Sequence, residues 1–175
     1  MDDGVRGKDN LVVRGGALDV TAGGDAIQAA TDVLISAGEL VLSSGGGSGA
    51  VVDASASAKG IKAAVNLNVD GGTLTVDSAD DTLHSNGTMV INGGAFVLAS
   101  GDDGMHADAS LTINDGTIQI TQSYEGIESA LITINGGDID IVSSDDGLNV
   151  AGGNDGSGMN PGPGRGGGPG RGGQA

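Results

Sequence analysis

The sequence predicts an all-β protein: a right-handed parallel β-helix with about 22 residues per coil and three short strands in each coil. Three observations carry this expectation. A Gly-marked motif recurs at nearly constant spacing, apolar residues alternate in segments too short for helices, and small aliphatic residues replace aromatic ones, with one Tyr, one Phe and no Trp.

The marker is Gly15-Gly16, Ala37-Gly38, Gly71-Gly72, Gly93-Gly94, Asp115-Gly116 and Gly136-Gly137, with second members 22, 34, 22, 22 and 21 residues apart. The spacing of 34 is one repeat plus an insertion of about 12, which falls in "GGGSGAVVDASASA", residues 45–58, a loop leaving the repeat. Aligned on the marker, units such as "GGTLTVDSADDTLHSNGTMVIN" and "GGAFVLASGDDGMHADASLTIN" show three columns. The first holds Leu18/Val20, Leu40/Leu42, Leu74/Val76, Phe96/Leu98, Ile118/Ile120 and Ile139/Ile141. The second holds Ile27, Ile61, Leu83, Met105, Ile127 and Leu148, and the third runs through Val33/Ile35, Leu67/Val69, Met89/Ile91, Leu111/Ile113 and Ile132/Ile134. Alternation means strands. A contour of roughly 70 Å per unit closes into a triangular coil, and stacked coils lie about 4.8 Å apart as parallel strands. One coil cannot bury its own interior, so stability arises between neighbours. A leucine-rich horseshoe needs an L-x-x-L-x-L pattern that is lacking, and propeller blades are longer.

Asp3, Asp25 and Asp103 share one column, so the chain opens partway round a coil and reads as a fragment whose upstream coils or cap are missing. The helix is expected over residues 1–151, followed by a Gly/Pro-rich flexible tail over 152–175.

Formal net charge is −16, from 23 acids against 7 bases among 175 residues, which excludes nucleic acid as a partner and favours cations. No Cys is present, so thiolate metal sites are excluded. No apolar run reaches 18 residues, so no membrane insertion is expected. A basic and apolar secretion signal is lacking at the N-terminus.

The acids recur with the repeat. Asp2-Asp3, Gly24-Asp25, Ala58-Lys59, Asp80-Asp81, Asp102-Asp103, Tyr124-Glu125 and Asp145-Asp146 form one double column. Stacked carboxylates about 5 Å apart repel unless a cation lies between them, and hard oxygen ligands in this number suit Ca²⁺. Single acids such as Asp70 and Asp115 are expected to serve turns. A second ladder, Arg6, Gln28, Lys62, His84, His106, Glu128 and Asn149, points outward, a mixed polar strip along which a sugar polymer can lie; its histidines are expected to be solvated. Asn92, Asn114 and Asn135 read as an internal asparagine ladder closing a turn. Phe96 has core parity, leaving Tyr124 as the ring available to stack on a sugar face.

"KGIKA" (59–63), "DDTLHSNG" (80–87), "DDGMHAD" (102–108), "SYEGIES" (123–129) and "SSDDGLN" (143–149), in that order, resemble the bacterial carbohydrate-binding β-helix domains, whose fold is similar to family-nine pectate lyases. The resemblance implies a secreted or cell-surface protein that binds cellulose and acidic sugars such as polygalacturonate, carries calcium and does not cleave the polymer. It implies metal roles for Asp80, Asp81, Asp102, Asp103, Glu125, Glu128, Asp145 and Asp146. Lys59, Lys62, His84, His106 and Tyr124 are the candidate sugar contacts; no catalytic residue is assigned, and a monomer is expected. The rival is a calcium-dependent polysaccharide lyase with Lys59 or Lys62 as base, although a lysine beside carboxylates forms an ion pair and makes a poor base. A third reading is a structural stalk or adhesin segment rigidified by calcium.

Overall fold

The structure, a computed structural model, describes residues 2–53 and 55–150. The predicted tail, 152–175, lies outside the described residues.

The chain winds into a parallel β-solenoid of seven coils. Sheet 1 is built from Val5–Gly7, Ile27–Ala29, Ile61–Ala63, Leu83–Ser85, Met105–Ala107, Ile127–Ser129 and Leu148–Asn149, which number coils 1 to 7 in order. Sheet 2 stacks Leu11–Val13, Val33–Ile35, Asn66–Val69, Thr88–Ile91, Ser110–Ile113 and Ile132–Ile134. Sheet 3 stacks Ala17–Ala22, Glu39–Ser44, Thr73–Ser78, Ala95–Ser100, Thr117–Gln122 and Asp138–Ile141. All pairings are parallel and follow the sequence columns: Leu83 pairs with Ile61 and Met105, Met89 with Leu67 and Leu111, and Phe96 with Leu74 and Ile118. Among the described residues there is no helix, hence none long and apolar enough to cross a membrane.

Each coil turns one face of every strand inward. In coil 4 the ring is Leu83, Met89, Ile91, Phe96 and Leu98, all buried, each contributing about 1.5–3 kcal/mol of transfer free energy. Burial weakens at both ends, where Val5, Leu11 and Leu18, and then Ile132, Ile139 and Ile141, are only partly covered. This follows from a core made between coils, because an end coil has one neighbour.

Two glycine columns make the corners. Gly38, Gly72, Gly94, Gly116 and Gly137 have φ of +121°, +103°, +116°, +124° and +97°, the left-handed region that the turn between sheets 2 and 3 requires. The corner entering sheet 1 needs close approach instead: a Cβ on Gly60 would lie 2.3 Å from Val76 Cγ1 and 2.5 Å from the Thr82 carbonyl oxygen. Thr82 itself fills this column in coil 4 and directs its hydroxyl to the Gly104 carbonyl.

Both ends of the insertion are tied to the solenoid. Ser48 N–H donates to Asp77 Oδ1 at 2.7 Å, and Gln122 Nε2 donates to the Ser48 carbonyl at 3.2 Å. At the other end Ser57 Oγ donates to Asp25 Oδ1 at 2.7 Å and receives Lys62 Nζ at 3.1 Å. The asparagine ladder is present but not internal. Asn92 Nδ2 donates to Asp70, Asn114 Nδ2 to Asn92 and Asn135 Nδ2 to Asn114 at 2.7 to 2.8 Å, yet all three asparagines are exposed, because their turn bends away from the core.

Candidate functional site: the acid turns and the ladder of sheet 1

The acid pairs occupy the turn that carries the chain from sheet 3 into sheet 1. A serine at or just beyond the end of the sheet 3 strand anchors that turn: Ser78 Oγ donates to the Asp80 carbonyl at 2.8 Å, Ser100 Oγ to Asp102 at 2.7 Å and Ser143 Oγ to Asp145 at 3.3 Å. In three coils the second residue of the pair supports the coil that follows. Asp3 Oδ1 accepts the Asp25 N–H at 3.2 Å, Asp25 Oδ1 accepts Lys59 N–H at 2.8 Å, and Asp81 Oδ1 accepts Asp103 N–H at 3.1 Å. Part of the acid column therefore exists to pair backbone donors between coils. The serines went unread in the sequence, although Ser78, Ser100 and Ser143 each stand two residues before an Asp-Asp pair.

The charge is answered partly from within. Lys59 Nζ lies 2.8 Å from Asp80 Oδ1 and 2.7 Å from Asp81 Oδ2, with its side chain 13% exposed. Burial alone would depress this amine, but the two carboxylates prevail and raise its pKa. The same ion pair, with His84 and His106, overcomes burial and holds the Asp81 carboxyl well below the usual carboxylate range. Lys59 thus sits inside the cluster, while Lys62, half-buried, turns to Ser57 of the insertion.

The histidines correct the sequence reading. They have outward parity but are not solvated: His106 is 7% exposed, and the His84 side chain 12%. They lie in register on adjacent strands, walled by the acid turns on one side and Asn86 and Asp108 on the other. His84 Nδ1 is 2.7 Å from Asp81 Oδ2 and its Nε2 3.1 Å from Asn86 Oδ1. His106 Nδ1 is 3.0 Å from Asp103 Oδ2 and 3.3 Å from Glu128 Oε2, so the ring bridges coils 5 and 6. Burial opposes the charged ring of His106, yet its bond to Asp103 and the surrounding negative charge push its pKa up to about 9. Asp108, which holds His106 Nε2 at 3.1 Å, was visible in "DDGMHAD" as a third aspartate without a role.

Not all the carboxylates are compensated. Burial, then the charges of Asp81, Asp103 and Asp80, push the Asp102 carboxyl up to about 8. Burial likewise raises Asp103. Among the described residues no N–H or hydroxyl donor reaches the buried oxygens Asp103 Oδ1 and Glu125 Oε2. Oxygens of Asp80, Asp81 and Asp102 lie within 4.8 Å of one another, an all-oxygen set of the chemistry that calcium takes. Asp145 and Asp146, in the last coil, are exposed and outside these groups. Tyr124 is 46% exposed, and its hydroxyl bonds Asp145, which raises its pKa.

The model of the carbohydrate-binding domain-containing protein family matches residues 1–104 and 102–147, nearly the whole solenoid. The chain belongs to this family. Membership supports carbohydrate as the class of ligand and polysaccharide as the partner. No curated protein and no solved structure matches the chain.

Proposed function

We propose that this solenoid binds polysaccharide without cleaving it, along the edge where the acid turns meet sheet 1, and that calcium completes the oxygen set at Asp80 and Asp102. The observation that carries the reading is Asp102. It is a nearly buried carboxyl beside Asp80, Asp81 and Asp103, while the one lysine of the cluster is committed to Asp80 and Asp81. A divalent cation relieves this repulsion better than a shared proton does. When bound, calcium supplies a bridge between the acid column and sugar hydroxyls or carboxylates.

The protein's own groups supply the rest. Exposed Tyr124, held by Asp145, offers a ring face to a sugar, and Lys62 and the edge of His84 flank the strip. Acidic polymers such as polygalacturonate need the bridging cation, because the ridge is itself acidic; cellulose does not. A place outside the cell, secreted or at the surface, follows from such a ligand.

The lyase reading loses its first base. Lys59 stays protonated between two carboxylates and cannot take a proton from a substrate.

The test is retention of the full chain on polygalacturonate and on cellulose, with calcium and with chelator, alongside absorbance from unsaturated uronides. Calcium-dependent retention on polygalacturonate, weakened by Tyr124→Ala and without unsaturated product, supports the reading. Unsaturated product establishes the lyase, and calcium-dependent thermal stabilisation with no retention on either polymer establishes the stalk.

A further inference from the structure

His106 is held by oxygen at both ring nitrogens. Its Nε2 faces Asp108 Oδ1 at 3.1 Å, while Nδ1 faces Asp103 Oδ2 at 3.0 Å and Glu128 Oε2 at 3.3 Å. A neutral imidazole has one N–H and one lone pair. With the N–H directed at the Asp108 carboxylate, the lone pair at Nδ1 points toward two acids. That arrangement calls for a proton, on the ring or on one of the carboxyls, or for a metal ion. A second observation favours the metal: Asp103 is 0% exposed and stands against the Glu128 carboxyl, and among the described residues no N–H or hydroxyl donor reaches its Oδ1. A proton on Nδ1 bonded to Oδ2 does nothing for Oδ1, whereas a cation between the side chains can draw on the whole carboxylate.

We propose that Asp103, His106 and Glu128 form a site for a divalent transition metal of the zinc class, bound through His106 Nδ1 and the two carboxylates, which ties coil 5 to coil 6. Their candidate ligand atoms lie within 4.8 Å of one another. Ligand arms of about 2.0–2.1 Å at the tetrahedral angle place ligand atoms roughly 3.3 Å apart. The observed separations of 3.0 and 3.3 Å from Nδ1 match that spacing. Asp108 supplies the outer partner that a ligating imidazole commonly has, fixing its tautomer and ring orientation. The nitrogen donor separates this site from the oxygen set at Asp80 and Asp102, because imidazole suits zinc and calcium prefers oxygen. The neighbouring trio Asp81, His84 and His106 is less suited, since Asp81 Oδ2 already receives both Lys59 and His84. The site needs no glycan, so it stands or falls apart from the carbohydrate reading.

The experiment is calorimetric titration of the chelator-treated full chain with Zn²⁺ at neutral pH, with Ca²⁺ added first to fill the oxygen set. One equivalent binding at micromolar or tighter Kd is expected, with a rise in Tm. Cobalt(II) in place of zinc is expected to give visible d–d absorption, and zinc to shift the His106 ring resonances by NMR. His106→Gln is expected to weaken zinc at least tenfold, and Asp108→Ala about tenfold through the freed ring. If His106→Gln fails to fold, the wild-type ring resonances decide. No zinc binding, affinity unchanged in a folded His106→Gln, or zinc bound with unshifted His106 resonances overturns the proposal.

Discussion

The imidazole rings of His84 and His106 stack with centroids 5.0 Å apart and planes inclined by 20°. Two such rings bring like charges together when both are protonated, so the stack depends on the acids around it. Asp81 and Asn86 face His84, and Asp103, Asp108 and Glu128 face His106. The ladder thus ties coil 4 to coil 5 through charge as well as packing.

That charge gives stability a direction with pH. His106 is raised from 6.5 to about 9, so its contribution is fully present below pH 6.5 and is lost as pH rises through about 9. The rise is worth on the order of 3 kcal/mol. Asp102 acts in the same sense: raised from 3.8 to about 8, it favours the folded state while protonated and loses that contribution as pH climbs from about 4 to 8. Urea midpoints measured without divalent cations are expected to fall steadily between pH 5 and pH 9. A midpoint that rises across that interval refutes the charge assignment.

Lys59 answers Asp80 and Asp81 from inside the protein, and its removal leaves two carboxylates without their cation. Lys59→Met is expected to cost about 3–5 kcal/mol in urea denaturation. Adding Asp80→Asn to that variant is expected to recover part of the loss. If the single variant is as stable as the parent, the buried ion pair contributes nothing and the cluster is solvated.

The architecture was legible because every coil repeats the same inward positions, and a column such as Leu74, Phe96 and Ile118 needs only alternation and period to be read. Parity placed His84 and His106 on the outer face of sheet 1. It did not reveal their burial, since parity names the side of a strand and not what stands beside it. The walls come from Asp81, Asp103, Asn86 and Asp108, two or three residues away along the chain. Likewise Lys59 was visible as a base in an acid column and its ion pair with carboxylates was expected, while its hold on both acids of the pair 21 and 22 residues later, from a nearly buried position, became visible only with the coils stacked.

The two kinds of glycine position are separable by substitution. At Gly60 an added Cβ meets Val76 Cγ1 at 2.3 Å and backbone oxygen at 2.5 Å, so Gly60→Ala must shift the corner of sheet 1 and is expected to cost about 3 kcal/mol. At Gly147, in the same column of the last coil, nothing lies within 4 Å, and Gly147→Ala is expected to stay within about 0.5 kcal/mol. Equal losses at the two sites mean that close approach between coils is not what the column selects.

Asp102→Asn separates repulsion from ligation, because the two predict opposite signs. Without divalent cations the substitution removes a charge that Asp80, Asp81 and Asp103 oppose. It is therefore expected to stabilise the fold by about 1–2 kcal/mol near pH 9, and to change little near pH 5, where the carboxyl is already protonated. With calcium present the same substitution removes a proposed ligand, and the calcium-induced rise in Tm is expected to shrink by more than half. The parent then overtakes the variant as calcium is added at pH 9. A variant less stable than the parent at pH 9 without calcium contradicts the repulsion at Asp102, whereas an undiminished response to calcium removes Asp102 from the metal site and leaves its buried charge to be answered by protons alone.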